Sequence, residues 1–136
     1  MKFTPHLAFD GRCREAFEFY ERCFGGKILT MLAYGDTPMA DRVPAQHRGR
    51  ILHATLARED GEVVGADALP EQYRTPQGSF VLVNVDEIAK AERIFAALAQ
   101  GGSIAMPLQE IFWAARFGVV TDRFGIAWEI NCPRAD

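Results

Sequence analysis

Apolar and polar positions alternate over residues 3–9, with Phe3, Leu7 and Phe9 on one side and Thr4, His6 and Ala8 on the other, which predicts a strand. Over residues 12–24 the period lengthens. Cys13, Ala16, Phe17, Tyr20, Cys23 and Phe24 recur every three or four positions and predict a helix with one apolar stripe. Asp10 is the expected cap at its start, and Gly25-Gly26 ends it. Residues 27–34 read as a second strand. Residues 34–50 have no period and contain Gly35, Pro38, Pro44 and Gly49, which predicts a long loop acting as a mobile flap. Residues 51–57 and 62–66 form the next two strands around a Glu59-Asp60-Gly61 turn, and residues 67–78, with Pro70 and Pro76, read as a linker.

The pattern then starts again. Residues 79–85 predict a strand, Asp86 a cap, and residues 87–99 a helix with Ile88, Ala91, Ile94, Phe95 and Leu98 on one side. Gly101-Gly102 stops it, a strand follows over 103–108, and a hairpin joins the apolar runs 117–120 and 126–130 through Asp122-Arg123-Phe124-Gly125. Gly125 takes the left-handed position such a turn needs. Setting Gly25-Gly26 on Gly101-Gly102 places Asp10 on Asp86 and Phe19 on Phe95 without a gap, so the chain repeats strand, helix and three strands. The expected organisation is one domain over 1–136, with module 1 at about 1–68, a linker at about 69–78 and module 2 at about 79–133.

Two helices cannot cover both faces of eight strands. Phe3, Leu7 and Phe9, with Val81, Val83 and Val85, are the natural helix-facing residues, and strand parity turns the opposite set away from the helices. That set holds Thr4, His6, Ile51, His53, Phe80, Leu82, Asn84 and Glu129, with Arg116 added to it. Apolar side chains interrupted by a few ionisable ones are what a small-molecule pocket presents. On the last strand Trp128 falls on the helix side and Glu129 beside it on the open side.

A net charge of −3 without a basic stripe argues against nucleic acid as a partner. No apolar run approaches a membrane span, and the N-terminal sequence lacks the apolar region of a signal peptide. Cys13, Cys23 and Cys132, odd in number and without C-x-x-C spacing, read as reduced thiols in a cytoplasmic protein.

Pro5-x-Leu7-x-Phe9-Asp10-Gly11, Glu15-Ala16 and Phe19-Tyr20-x-x-x-Phe24-Gly25-Gly26 resemble the opening of PhnB-like proteins of the vicinal oxygen chelate superfamily. That superfamily includes glyoxalase I, extradiol dioxygenases, and fosfomycin and bleomycin resistance proteins. Agreement continues through His53-Ala54-x-Leu56, Gly65-Ala66-Asp67, Gly101-Gly102 and Phe112-Trp113-x-x-Arg116-Phe117-Gly118-x-x-x-Asp122-x-Phe124-Gly125-x-x-Trp128. The resemblance implies an α+β fold of two βαβββ modules, a curled mixed sheet with a central cup and helices on its outer face, within a homodimer. Such proteins also carry a ubiquinone-pathway methyltransferase name, but no glycine-rich loop follows a strand here to hold S-adenosylmethionine in the usual way.

By the same resemblance Glu129 falls where metal-dependent relatives supply a carboxylate ligand. Thr4 and Phe80 occupy the positions of other ligands, and the first module offers Gly65 or a neighbour at its last-strand position. A different trio, His6, His53 and Glu129, shares the open parity and is a recognised donor set for a divalent metal, with Zn, Ni, Fe or Mn as candidates. Glu129 is the candidate catalytic group, and His6, His53, Phe80, Leu82, Asn84, Trp113, Arg116 and Glu129 are the candidate ligand-binding residues. Arg116 either clamps an anionic substrate or neutralises Glu129. Asp67 and Asp122 read as turn or strand-end residues. Three functions remain open: a metal-dependent lyase, isomerase or dioxygenase, a metal-free protein that sequesters a small molecule, and a dimerising association domain.

Overall fold

The computed structural model describes residues 1–135 and divides into two compact units, Met1–Arg74 and Thr75–Asp136. The first unit runs β1 (His6–Phe9), α1 (Cys13–Phe24), β2 (Lys27–Ala33), β3 (Ile51–Arg58) and β4 (Gly61–Asp67). The second runs β5 (Val81–Asn84), α2 (Ile88–Ala99), β6 (Ser103–Ile111), β7 (Ala114–Thr121) and β8 (Ala127–Pro133). Each forms a four-stranded mixed sheet, ordered β1-β4-β3-β2 and β5-β8-β7-β6. The first strand pairs in parallel with the last, and all other neighbours are antiparallel. The expected α+β class and the βαβββ repeat are thus what the chain adopts.

Each helix buries its apolar stripe against its own sheet. In the first unit Phe9, Phe17 and Tyr20 meet edge to face or tilted, with ring centroids 5.8–6.4 Å apart, and all three are almost fully buried. Gly65 lets α1 come this close, because a Cβ there would lie 2.7 Å from the Phe17 ring. In the second unit Ala91, Ile94, Phe95 and Leu98 of α2 are buried, as are Val120, Trp128 and Ile130 of the sheet beneath. Gly118 lies under Phe95 in the same way.

Several expectations change. Phe3 stands 90% exposed ahead of a strand that begins only at His6, so it contributes nothing to the core. Asp10 does not cap α1; it pairs with Arg50 at 3.2 Å. Neither helix has a side-chain cap, and Asp86 is not the cap residue of α2. At the start of α1 a carboxylate from β4 takes over this work: Asp67 Oδ1 accepts the N–H groups of Gly11 and Cys13, and its Oδ2 accepts that of Ile51, at 2.8–3.0 Å. Residues 34–50 form three short 3-10 turns held at both ends. Tyr34 N–H donates to Arg50 O, Gly35 N–H to Arg48 O and the Tyr34 hydroxyl to Asp67 O.

Candidate functional site

The turn between β7 and β8 aims the second unit's polar residues. Asp122 Oδ1 accepts the N–H groups of Phe124 and Ile126, and Gly125, at φ +92°, turns the chain back as its sequence position requires. The register that follows sets Val119 opposite Glu129, Phe117 opposite Asn131 and Val120 opposite Trp128. Directly paired residues share a face. Trp128 and Val120 therefore lie under α2, while Glu129, Asn131, Phe117 and Val119 project from the opposite face.

β5 extends that face. Leu82 is in register with Glu129 and Asn84 with Asn131, and the Asn131 amide donates to Asn84 Oδ1 at 2.9 Å. Leu82 is 50% exposed, and Phe80, just ahead of the strand, 51%. At the far end Phe112 and Trp113 form the tip of the β6–β7 hairpin. The Trp113 ring contacts Phe117 edge-on at 5.3 Å and Phe112 at 4.7 Å. Arg134 holds this tip by donating to the carbonyls of Ile111 and Phe112.

Glu129 is half-buried between Leu82 and Val119, and among the described residues it takes part in no hydrogen bond or ion pair. Beside it, Asn131 Oδ1 is buried without a donor. Two acceptors on one strand, separated by an apolar floor from the unit's basic groups, invite a donor from outside the sheet.

Of the eight candidate ligand-binding residues, this face unites Leu82, Asn84 and Glu129, with Phe80 and Trp113 at its ends. Arg116 lies on the other face, contrary to the expected parity. It shares the parity of Gly118 and Val120 and pairs with Glu92 of α2 at 3.5 Å, so it neither faces nor neutralises Glu129. The run 117–120 is apolar on both faces, which left parity there without an anchor in the sequence. Asn131 lies on this face as the alternation from Trp128 requires, whereas Phe117 and Val119 join it only through their register with Asn131 and Glu129.

His6 and His53 belong to the first unit, on β1 and β3 with β4 between them. They share the side turned away from α1, and His53 Nε2 lies 3.2 Å from Thr55 Oγ1. Strands about 4.8 Å apart put their backbones roughly 10 Å from each other. Ile51, assigned by parity to the open side, is buried. Among the described residues no three His, Cys, Asp or Glu side chains are grouped to hold a metal ion. Asp67 and Asp122 do more than end strands, since each buried carboxylate organises three donors.

Comparison with known proteins adds a family. A model described as 3-demethylubiquinone-9 3-methyltransferase matches residues 1–131. The crystal structure of PA1353 from Pseudomonas aeruginosa is 43% identical, with 99% of each chain covered and a TM-score of 0.91. A PhnB protein from Bacillus cereus, described as a putative 3-demethylubiquinone-9 3-methyltransferase, is 25% identical over 97% of this chain and 99% of its own, with a TM-score of 0.81. The fold alone extends to TnmS3, an antibiotic binding protein from Streptomyces sp. CB03234, at 17% identity, 98% coverage of both chains and a TM-score of 0.54.

Proposed function

Because the chain belongs to the PhnB-like family whose model is described as 3-demethylubiquinone-9 3-methyltransferase, we propose that it is a small-molecule-binding protein whose ligand lies on the sheet face opposite α2. The observation that carries this reading is Glu129, a half-buried carboxylate without a partner among the described residues, on a face shared with Leu82, Asn84, Phe117 and Asn131. A few polar groups set among exposed apolar and aromatic side chains make a binding surface. Phe80, Leu82 and Trp113, each about half exposed, are costly to leave in water and stabilising to cover. TnmS3 supports the reading as an antibiotic-binding protein built on the same fold.

Methyl transfer has less support. A nucleotide-like cofactor is commonly seated by a glycine-rich turn opening a helix. Between β1 and α1 that position is already filled by the Asp67 carboxylate, which takes the N–H groups of Gly11 and Cys13. The paired glycines 25–26 and 101–102 follow helices rather than strands.

The test is thermal stability against a panel of aromatic compounds and, separately, Zn, Ni, Mn and Fe, since a ligand raises stability with its concentration over Kd. Saturable stabilisation by an organic compound, lost in Trp113→Leu, is the expected result. Failure of every compound at millimolar concentration would remove the reading. Stoichiometric metal that disappears in Glu129→Gln would replace it with a metal-dependent reading in which Glu129 is a ligand.

A further inference from the structure

The charge distribution of the second unit points to the class of ligand. Its basic side chains are Lys90, Arg93, Arg116, Arg123 and Arg134. Lys90 and Arg93 ride on α2, which covers the opposite face of the sheet. Arg116 pairs with Glu92 on that same side. Arg123 donates to Gln100 O and lies over the Phe124 ring, and Arg134 is spent on the hairpin carbonyls and Glu110. None is directed to Glu129. A half-buried carboxylate flanked by Leu82 and Val119 gains a strong, charge-assisted contact when a cation is placed against it. Asn131, whose amide N–H is given to Asn84, leaves its Oδ1 without a donor beside it.

The aromatic residues stand at a defined offset from this charge. Phe117 is directly opposite Asn131 and therefore diagonal to Glu129, a backbone separation of about 7–8 Å. Trp113 extends the aromatic surface from Phe117 toward the hairpin tip. A ligand with a ring on Phe117 and Trp113 reaches the carboxylate with a cationic group one or two atoms beyond the ring. The exposed Trp face also attracts positive charge.

We propose that the ligand is an organic cation, a protonated amine or amidinium carried on an aromatic body, with its charge on Glu129 and its ring on Phe117 and Trp113. The inference rests on the binding reading above and adds the sign of the charge. An anion meets no counter-charge beside Glu129 from this unit, since Arg116 is paired with Glu92 and Arg134 with Glu110 and the hairpin carbonyls, and a bare metal ion would find one carboxylate and one amide.

Three probes of one shape test it by calorimetry: 2-naphthylmethylamine, 2-naphthalenemethanol and 2-naphthoate, at pH 7 and low salt. The amine is expected to bind at least tenfold more tightly than the alcohol, with the carboxylate weakest. In Glu129→Gln the amine should fall to within twofold of the alcohol measured on the same variant. In Trp113→Leu both should weaken together by threefold or more. Equal binding of amine and alcohol by the wild type would overturn the cation assignment and leave the binding face standing. An amine preference that survives Glu129→Gln would overturn Glu129 as its seat. Absence of binding by all three would overturn this inference, and the broader panel then decides whether the face binds anything. The wild-type comparison stands without either variant.

Discussion

The indole N–H of Trp128 donates to Asp122 Oδ2 at 2.9 Å, while Oδ1 of the same carboxylate accepts the backbone N–H groups of Phe124 and Ile126. One buried carboxylate thus joins the β7–β8 turn to the core residue that sits back to back with Glu129. The parity that turns Glu129 away from α2 is fixed by the same contact that turns Trp128 toward it.

Asp122→Asn keeps the shape and one acceptor but puts an NH2 group against either the indole N–H or the two backbone donors. A buried donor left without an acceptor costs about 1–3 kcal/mol, and bonds to a charged group lie at the upper end of that range. The variant is expected to lose about 3 kcal/mol, read from the urea midpoint by far-UV circular dichroism. A loss below about 1 kcal/mol would show that the turn holds its register by other means.

Gly65 and Gly118 each sit where a helix phenylalanine touches a strand. A Cβ on Gly65 would meet Phe17 Cε1 at 2.7 Å and Leu7 O at 2.9 Å; on Gly118 it would meet Phe95 Cε2 at 2.8 Å and the Leu108 Cα at 2.9 Å. Overpacking of this kind costs about 1–3 kcal/mol. Alanine at either position should lower the melting temperature. An unchanged midpoint in both would mean that the helices shift outward without loss.

The repeat was legible because its signals are local: the change from period two to period 3.6, and the glycine pairs that stop both helices. The helix starts are not legible for the opposite reason. Asp10 and Asp86 each stand just ahead of a helix and look like caps, but the carboxylate that satisfies α1 comes from Asp67, more than fifty residues away. Glu129 was recognisable as an anomaly beside Trp128. Asn131 follows from Glu129 by the same alternation, but Phe117 does not, because its place on this face depends on cross-strand register, and the run 117–120 that would set the parity of Arg116 is apolar on both sides.

Burial pushes the Cys13 thiol above its ordinary value of 9.0, and the Asp67 carboxylate adds to this. A raised folded value means that the native state holds the proton longer than the unfolded chain does. Stability from this group is therefore complete below pH 9 and declines as pH rises through the interval above it. The limiting slope is about 1.4 kcal/mol per pH unit for one proton. Tyr34, raised in the same sense by burial and Asp67, contributes only above its ordinary value of 10.0. Urea midpoints between pH 9 and 10 should fall more steeply for the wild type than for Cys13→Ala. Parallel slopes would rule out the thiol as the source.

Arg116 offers the sharpest contrast between the sequence pattern and the site. If it clamped a substrate or neutralised Glu129, replacing it would change binding by tenfold or more. It faces α2 instead, 3.5 Å from Glu92, with the two side chains 29% and 56% exposed. Pairs of that exposure are worth about 0–1 kcal/mol. Arg116→Gln is expected to shift stability by less than about 1 kcal/mol and to leave the affinity for 2-naphthylmethylamine within twofold of the wild type, whereas Glu129→Gln changes it by the full amine preference. A tenfold loss in Arg116→Gln, with stability intact, would place the arginine at the ligand and reverse the charge expected of it.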